Sequence, residues 1–129
     1  MNTRQKGMKY EREVVKLLEK RRYKCIRPTW SKYTSKDFFG LFDIIAVAPH
    51  SRIRMIQVKG KKLCESEIEK LLEKLISFYT YYFSDIQDAV SVELWSLDKK
   101  LKKTWRIDYD AWRTSGRTII YSTKYEKRG

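Results

Sequence analysis

Two apolar runs set back to back, Gly40-Leu41-Phe42-Asp43-Ile44-Ile45-Ala46-Val47-Ala48 and Ile53-Arg54-Met55-Ile56-Gln57-Val58-Lys59-Gly60, constrain this chain more than any other feature. Separated by a short turn at Pro49-His50-Ser51, they are expected to fold as an antiparallel hairpin. An aspartate opens the first run, and a glutamine and a lysine close the second. Residues symmetric about the turn face each other, so a three-residue loop at 49–51 sets Asp43 opposite Gln57. A two- or four-residue loop would set it opposite Val58. Gln57 and Lys59 share one strand face by the period of two. An acid, an amide oxygen and an ammonium are therefore expected together at one end of the hairpin.

The 129 residues, 42% hydrophobic, suffice for one domain with one core. That domain is expected to span 1–129, with a basic N-terminal segment and a charged C-terminal tail. No apolar run approaches the roughly 20 residues that cross a bilayer, and Met-Asn-Thr-Arg-Gln-Lys lacks a signal peptide's apolar region. A cytoplasmic, nucleoid-associated protein is the expectation. Cys25 and Cys64 form neither a disulfide framework nor a metal motif and read as reduced core thiols.

Charge is distributed unevenly. Residues 1–36 carry 12 Lys/Arg against 3 Asp/Glu, residues 37–97 carry 7 against 9, and residues 98–129 carry 10 against 4. A net charge of +13 concentrated at the two ends, around a near-neutral middle holding the hairpin, suits a protein that grips a polyanion around a chemical centre.

Along the chain, Val14, Val15, Leu17 and Leu18 recur at helical spacing within 9–22. Glu11 heads the same stripe. It either meets a cation or metal there, since an unpaired buried charge is costly, or sits in the first turn and complements the helix dipole. Residues 23–28 read as a short strand ended by Pro28. Residues 29–39 read as a mobile loop beside the hairpin, with Ser31, Lys32, Ser35 and Lys36 available to phosphates, and with Trp30 and Tyr33 as base-stacking rings or half-buried anchors. Ser66-Glu67-Ile68-Glu69 offers a capping box for a helix whose stripe is Ile68, Leu71, Leu72, Leu75, Ile76 and Tyr79. Its aromatic end, Phe78 to Phe83, can serve as core or as a subunit contact, with core favoured. Residues 89–97 read as a strand joined to 53–59 by a helical crossover and hence parallel to it. Strands at 103–108 and 118–122 complete a mixed sheet flanked by helices, an α/β fold.

Phosphodiester cleavage needs a divalent cation to polarise the phosphate and lower the pKa of a water. Mg²⁺ takes hard oxygen ligands, often one or two carboxylates with water and phosphate. Asp43 can ligate directly, Gln57 through its side-chain oxygen, Val58 through its carbonyl, and Glu11 directly or through water. Lys59 can orient or help deprotonate the nucleophile, or stabilise charge developing on phosphate. The single His50 is read as a turn residue, and no triad or glycine-rich phosphate loop is present.

Glu11, Gly40-Leu41-Phe42-Asp43 and Gln57-Val58-Lys59 together resemble the signature of the restriction-endonuclease-like, or PD-(D/E)xK, nuclease superfamily in its Gln-x-Lys variant. Lys6-Gly7-Met8-Lys9-Tyr10-Glu11-Arg12-Glu13, the stretch from Arg27 to Ser31, and Asp43-Ile44-Ile45-Ala46 are similar to archaeal Holliday junction resolvases. The resemblance implies a restriction-endonuclease-like fold, with Glu11 the helical acid, Asp43 the central metal ligand and Lys59 the catalytic lysine. Arg12 and Ser31 would lie where resolvases keep functional residues. It further implies a homodimer cutting opposed strands of a four-way DNA junction with Mg²⁺ or Mn²⁺. Gln57 stands where Glu or Asp is usual, and Phe42 replaces the usual proline. These departures leave open a flap, single-strand or restriction-type nuclease of the same superfamily, or a non-catalytic nucleic-acid-binding module.

Overall fold

The computed structural model describes residues 3–28, 37–86, 88–108 and 119–127. Two helices, α1 (Thr3–Lys20) and α2 (Glu65–Phe83), accompany strands β1 (Lys24–Ile26), β2 (Ile44–Val47), β3 (Ile53–Lys59), β4 (Val90–Leu97), β5 (Leu101–Asp108), β6 (Ile119–Ser122) and β7 (Glu126–Lys127). The strands form one sheet in the order β1-β2-β3-β4-β5-β6, with β7 also on β5. Among the described strands only β3 and β4 pair in parallel, joined through α2 as the crossover predicts. The sheet is therefore mixed, an α/β fold consistent with the restriction-endonuclease-like nucleases.

Period-two alternation divides the core between the two sheet faces. Ile44, Ala46, Ile56, Val58, Trp95 and Leu97 pack with Tyr10, Val14 and Leu18 of α1. Met55, Val90, Val92 and Leu94 pack with Leu75 and Tyr79 of α2. The central strands are covered on both sides, which explains why β2 and the middle of β3 read as continuous apolar runs.

The β2–β3 ladder pairs Ile44 with Ile56, Ile45 with Met55 and Ala46 with Arg54, the register of a three-residue loop at 49–51. His50 sits at the tip with φ +59°, a left-handed turn position. Three expectations change. Helix α1 begins at Thr3, six residues before the apolar stripe suggests, because its first turns are polar and leave no periodic signal. Helix α2 is capped from Cys64, whose N–H donates to Glu67 Oε1 at 3.4 Å. Ser66 lies inside the first turn instead of at the cap. Cys64, at that cap and off the apolar stripe, is exposed and is no core thiol, whereas Cys25 on the edge strand β1 is half-buried against the α1-side core; both are free thiols. No helix among the described residues is long and apolar enough to cross a membrane.

Candidate active site

The hairpin brings its polar residues to the end of the sheet where β2 begins and β3 finishes. The ladder stops at Ile44, and Asp43 anchors itself to β3 twice. Its own N–H donates to Ile56 O at 2.8 Å. The Val58 N–H donates to Asp43 Oδ2 at 2.7 Å, fixing the carboxylate beside the Gln57-Val58-Lys59 segment. Gln57 has the strand parity of Met55, which packs on the α2 side. It is only 9% exposed, and its Oε1 is buried without a hydrogen-bond donor among the described residues. An unmet buried carbonyl oxygen is costly and marks a place where a further group belongs.

Glu11 reaches the same end from α1. The helix starts eight residues before it, so the first-turn dipole account does not apply. Its half-buried carboxylate pairs with Arg27 just after β1, Nη2 to Oε1 at 3.9 Å. Burial, with the nearby Asp43 carboxylate adding to it, pushes the Glu11 pKa up to about 7 against the opposing pull of Arg27. Burial likewise pushes Asp43 up to about 6, opposed by the Val58 N–H and the Lys59 ammonium, with Asp37 adding to the rise and Arg27 resisting it. The two acids therefore share one poorly solvated, negatively charged locus with two cations at its rim.

Arg27 was not among the candidate residues read from the sequence. It follows β1 and precedes Pro28, and nothing in its spacing ties it to Glu11. Arg12 is exposed on α1. Ser31, Lys32, Ser35 and Lys36, with Trp30 and Tyr33, lie outside the described residues. Val58 contributes its N–H to Asp43.

Among the described residues no group of three or more His, Cys, Asp or Glu side chains converges. A cation here would rely on the Asp43 and Glu11 carboxylates, the Gln57 oxygen and water. That hard-oxygen set suits Mg²⁺ or Mn²⁺ better than a thiolate- or imidazole-seeking metal.

The family model of the archaeal Holliday junction resolvases (Hjc) matches residues 2–115. The chain belongs to the archaeal Holliday junction resolvase family. No match was found among curated proteins, and none among solved structures. The resolvase match runs through α1, the hairpin, α2, β4 and β5, so it includes every element that contributes to the Asp43 locus. Membership makes this a chain of a nuclease family with a restriction-endonuclease-like fold.

The raised carboxylate pKa values predict a pH dependence. A folded-state pKa above the unfolded one means that the folded chain holds its protons more tightly. The associated stability is present below the unfolded value near 4 and is lost as pH rises towards about 7. In the absence of divalent cations, unfolding free energy is expected to fall by about 2–4 kcal/mol between pH 4.5 and pH 8. The Glu11→Gln/Asp43→Asn variant should flatten that slope. Urea titrations in a chelator at both pH values measure it, and equal slopes for the two proteins would contradict the burial of these acids.

Proposed function

We propose that this resolvase-family chain is a metal-dependent, structure-selective DNA endonuclease, folded as one domain, which resolves four-way junctions as a homodimer inside the cell. The observation that carries the reading is the buried, donor-less Gln57 Oε1 beside the segment that anchors Asp43, with Glu11 coupled to that aspartate. Asp43, Gln57 and Glu11 would hold Mg²⁺ or Mn²⁺, with the Val58 carbonyl as a further candidate oxygen. A bound divalent cation supplies Lewis acidity and a water of lowered pKa.

The chain's own residues supply the rest. The Val58 N–H keeps the Asp43 carboxylate aimed. Arg27 favours the ionised form of Glu11, which can then ligate or accept a proton from water. The Lys59 ammonium orients the attacking water or stabilises charge growing on the phosphate oxygens. Arg12, the ammonium groups of Lys32 and Lys36 and the hydroxyls of Ser31 and Ser35 hold the DNA backbone beside the other basic residues of the two chain ends. Two copies related by a two-fold axis would match the two opposed scissile strands of a junction.

Cleavage of four-way, flap, duplex and single-stranded substrates at one fixed salt concentration, with Mg²⁺, Mn²⁺ or a chelator, tests this reading. Preferential paired incision of the four-way substrate is expected. Tight binding with no incision of any substrate would overturn the nuclease reading in favour of a binding module.

Gln57 favours that second reading to the extent that it lowers the site's negative charge. Gln57→Glu restores a charged ligand and is expected to tighten Mn²⁺ binding by roughly tenfold, since ligand charge count tunes the affinity of oxygen sites. Calorimetric titration measures this without reference to activity. Unchanged affinity would remove Gln57 from the ligand set.

A further inference from the structure

Beyond Lys59 the same end of the sheet carries further cations. Lys59, Ser96 and Lys103 are register partners across β3, β4 and β5, and so lie in one row. Lys103 has the strand parity of Trp105 and Ile107, which pack on the α2 side, the side to which Gln57 and Lys59 belong by the same parity. Ser96, in the middle of the row, is buried, and its hydroxyl donates to Lys61 O at 2.6 Å. That bond pins the chain as it leaves β3, and Lys62 with it. The Lys62 ammonium lies 5.0 Å from the Tyr125 ring centroid, and the Lys103 ammonium lies 5.1 Å from the same centroid and 5.1 Å from that of Trp105. Tyr125 Oη is buried with no hydrogen-bond partner among the described residues, so both cations meet the face of the ring and not its hydroxyl.

Two like charges on one ring need a reason. Each cation–π contact contributes about 0.5–1 kcal/mol at an exposed site. Against this, the two ammonium groups lie within about 10 Å of each other, close to the screening length of physiological salt, and repel. Neither is paired with a carboxylate among the described residues. Glu67 pairs with Lys61, and Glu126 is the register partner of Lys102 on the α1 side. An oxygen-rich anion seated between the two ammonium groups removes the repulsion, and lysine serves phosphate as a point charge.

We propose that Lys62 and Lys103, held by the Tyr125 ring, form a phosphodiester subsite that takes the DNA strand about three nucleotides from the phosphate at Lys59. Spacing and continuity select a DNA strand over a free anion. Neighbouring strands are about 4.8 Å apart, so two steps carry the row about 10 Å from Lys59 to Lys103. A duplex strand advances ~3.4 Å per nucleotide, so a strand lying along the row brings its third phosphate to Lys103. Phosphate contacts fix register and orientation without reading sequence, and this one sets the direction in which the substrate arm leaves the site. The match to the resolvase family runs to residue 115, so Tyr125 comes from a part of the chain beyond it. The subsite rests on the nuclease reading for the identity of the phosphate at Lys59, whereas the contact at Lys62 and Lys103 is measured without cleavage.

Equilibrium binding of the full chain, in chelator at one fixed salt concentration, to four-way junctions carrying a single neutral methylphosphonate at each backbone position in turn tests it. In wild type one position should weaken binding about tenfold, the loss of one charge-assisted contact. In Lys62→Gln/Lys103→Gln, which keeps most of each stem and the wild-type circular dichroism, the same methylphosphonate should change affinity less than about twofold. Lys70→Gln/Lys74→Gln removes as many charges from α2 and should leave the maximum in place. Tyr125→Phe should keep it and Tyr125→Leu abolish it, since the ring face and not the hydroxyl holds the ammonium groups. Interference spread evenly over all positions, or a maximum that survives in Lys62→Gln/Lys103→Gln, overturns the proposal, and a maximum lost in Tyr125→Phe overturns the role given to the ring. With Mn²⁺ added, the cut should fall about three nucleotides from the maximum, and a cut at the adjacent phosphate overturns the path along the row. A maximum that depends on Lys62 and Lys103 in a protein that cuts no substrate leaves the subsite standing and defeats the nuclease reading alone.

Discussion

Asp43→Asn is expected to lower junction cleavage by at least ~10³-fold while changing DNA affinity less than about threefold. The asparagine keeps an oxygen for the Val58 N–H that now donates to Asp43 Oδ2 at 2.7 Å, so the hairpin end should hold its shape. What disappears is the negative charge. A metal site that stabilises phosphoryl-transfer charge by several kcal/mol, at ~1.4 kcal/mol per tenfold in rate, loses about three decades when its central ligand is neutralised. Affinity is largely preserved because the grip on DNA is electrostatic and its cations lie at the two ends of the chain, 12 of them in residues 1–36. Raised Asp43 pKa makes the contrast sharper. At pH 8 the wild-type carboxylate is charged in a poorly solvated place, so the neutral amide should also stabilise the cation-free protein. Loss of cleavage with a gain of stability is the signature of a residue kept for chemistry. Single-turnover rates on a four-way junction, beside gel-shift titrations at the same salt, measure both quantities. Cleavage within tenfold of wild type would take Asp43 out of the site.

The hairpin that carries this prediction was legible because local and global signals agree there. Its apolar runs and short turn require a hairpin, while the register was open between loop lengths and is the three-residue one that pairs Ile44 with Ile56. The parallel β3–β4 pairing was legible for a similar reason: a helix-length crossover permits little else. Other parts of the fold lack such redundancy. The polar first turns of α1 carry no apolar period, and the two-residue β7 is too short to show alternation. In the site, Glu11 could be suspected from its stripe, but the contest between dipole and partner was decided only by where the helix starts. Arg27 needed three-dimensional proximity, since it faces Glu11 across 16 residues of sequence with no motif between them. Glu93 was equally illegible. It alternates with Ser91 and Trp95 on one strand face, a pattern that does not reveal its burial, yet it is one of the most buried charged groups among the described residues.

That burial sets the second large effect expected. Arg54→Leu should destabilise the protein by about 3–5 kcal/mol, the usual cost of stranding one partner of a buried ion pair. Glu93 is enclosed by four donors. Arg54 Nη2 reaches Oε1 at 2.6 Å and Arg54 Nε reaches Oε2 at 2.7 Å, a two-pronged pair. The Ser91 hydroxyl donates to Oε2 and the Trp95 indole N–H to Oε1, each at 3.0 Å. The guanidinium itself lies 5.2 Å from the Tyr23 ring centroid and 5.8 Å from that of Trp95, so α1-side packing and charge are satisfied by the same group. Deleting Arg54 leaves a buried carboxylate with only neutral donors. The loss should therefore shrink in Arg54→Leu/Glu93→Gln, where the amide oxygen still accepts from Trp95 and no charge remains buried, with at least half of the lost stability recovered. Urea denaturation of the single and double variants separates charge from packing. If the double variant recovers nothing, the stabilising contribution of Arg54 is its contact with Tyr23 and Trp95 instead of its pairing with Glu93.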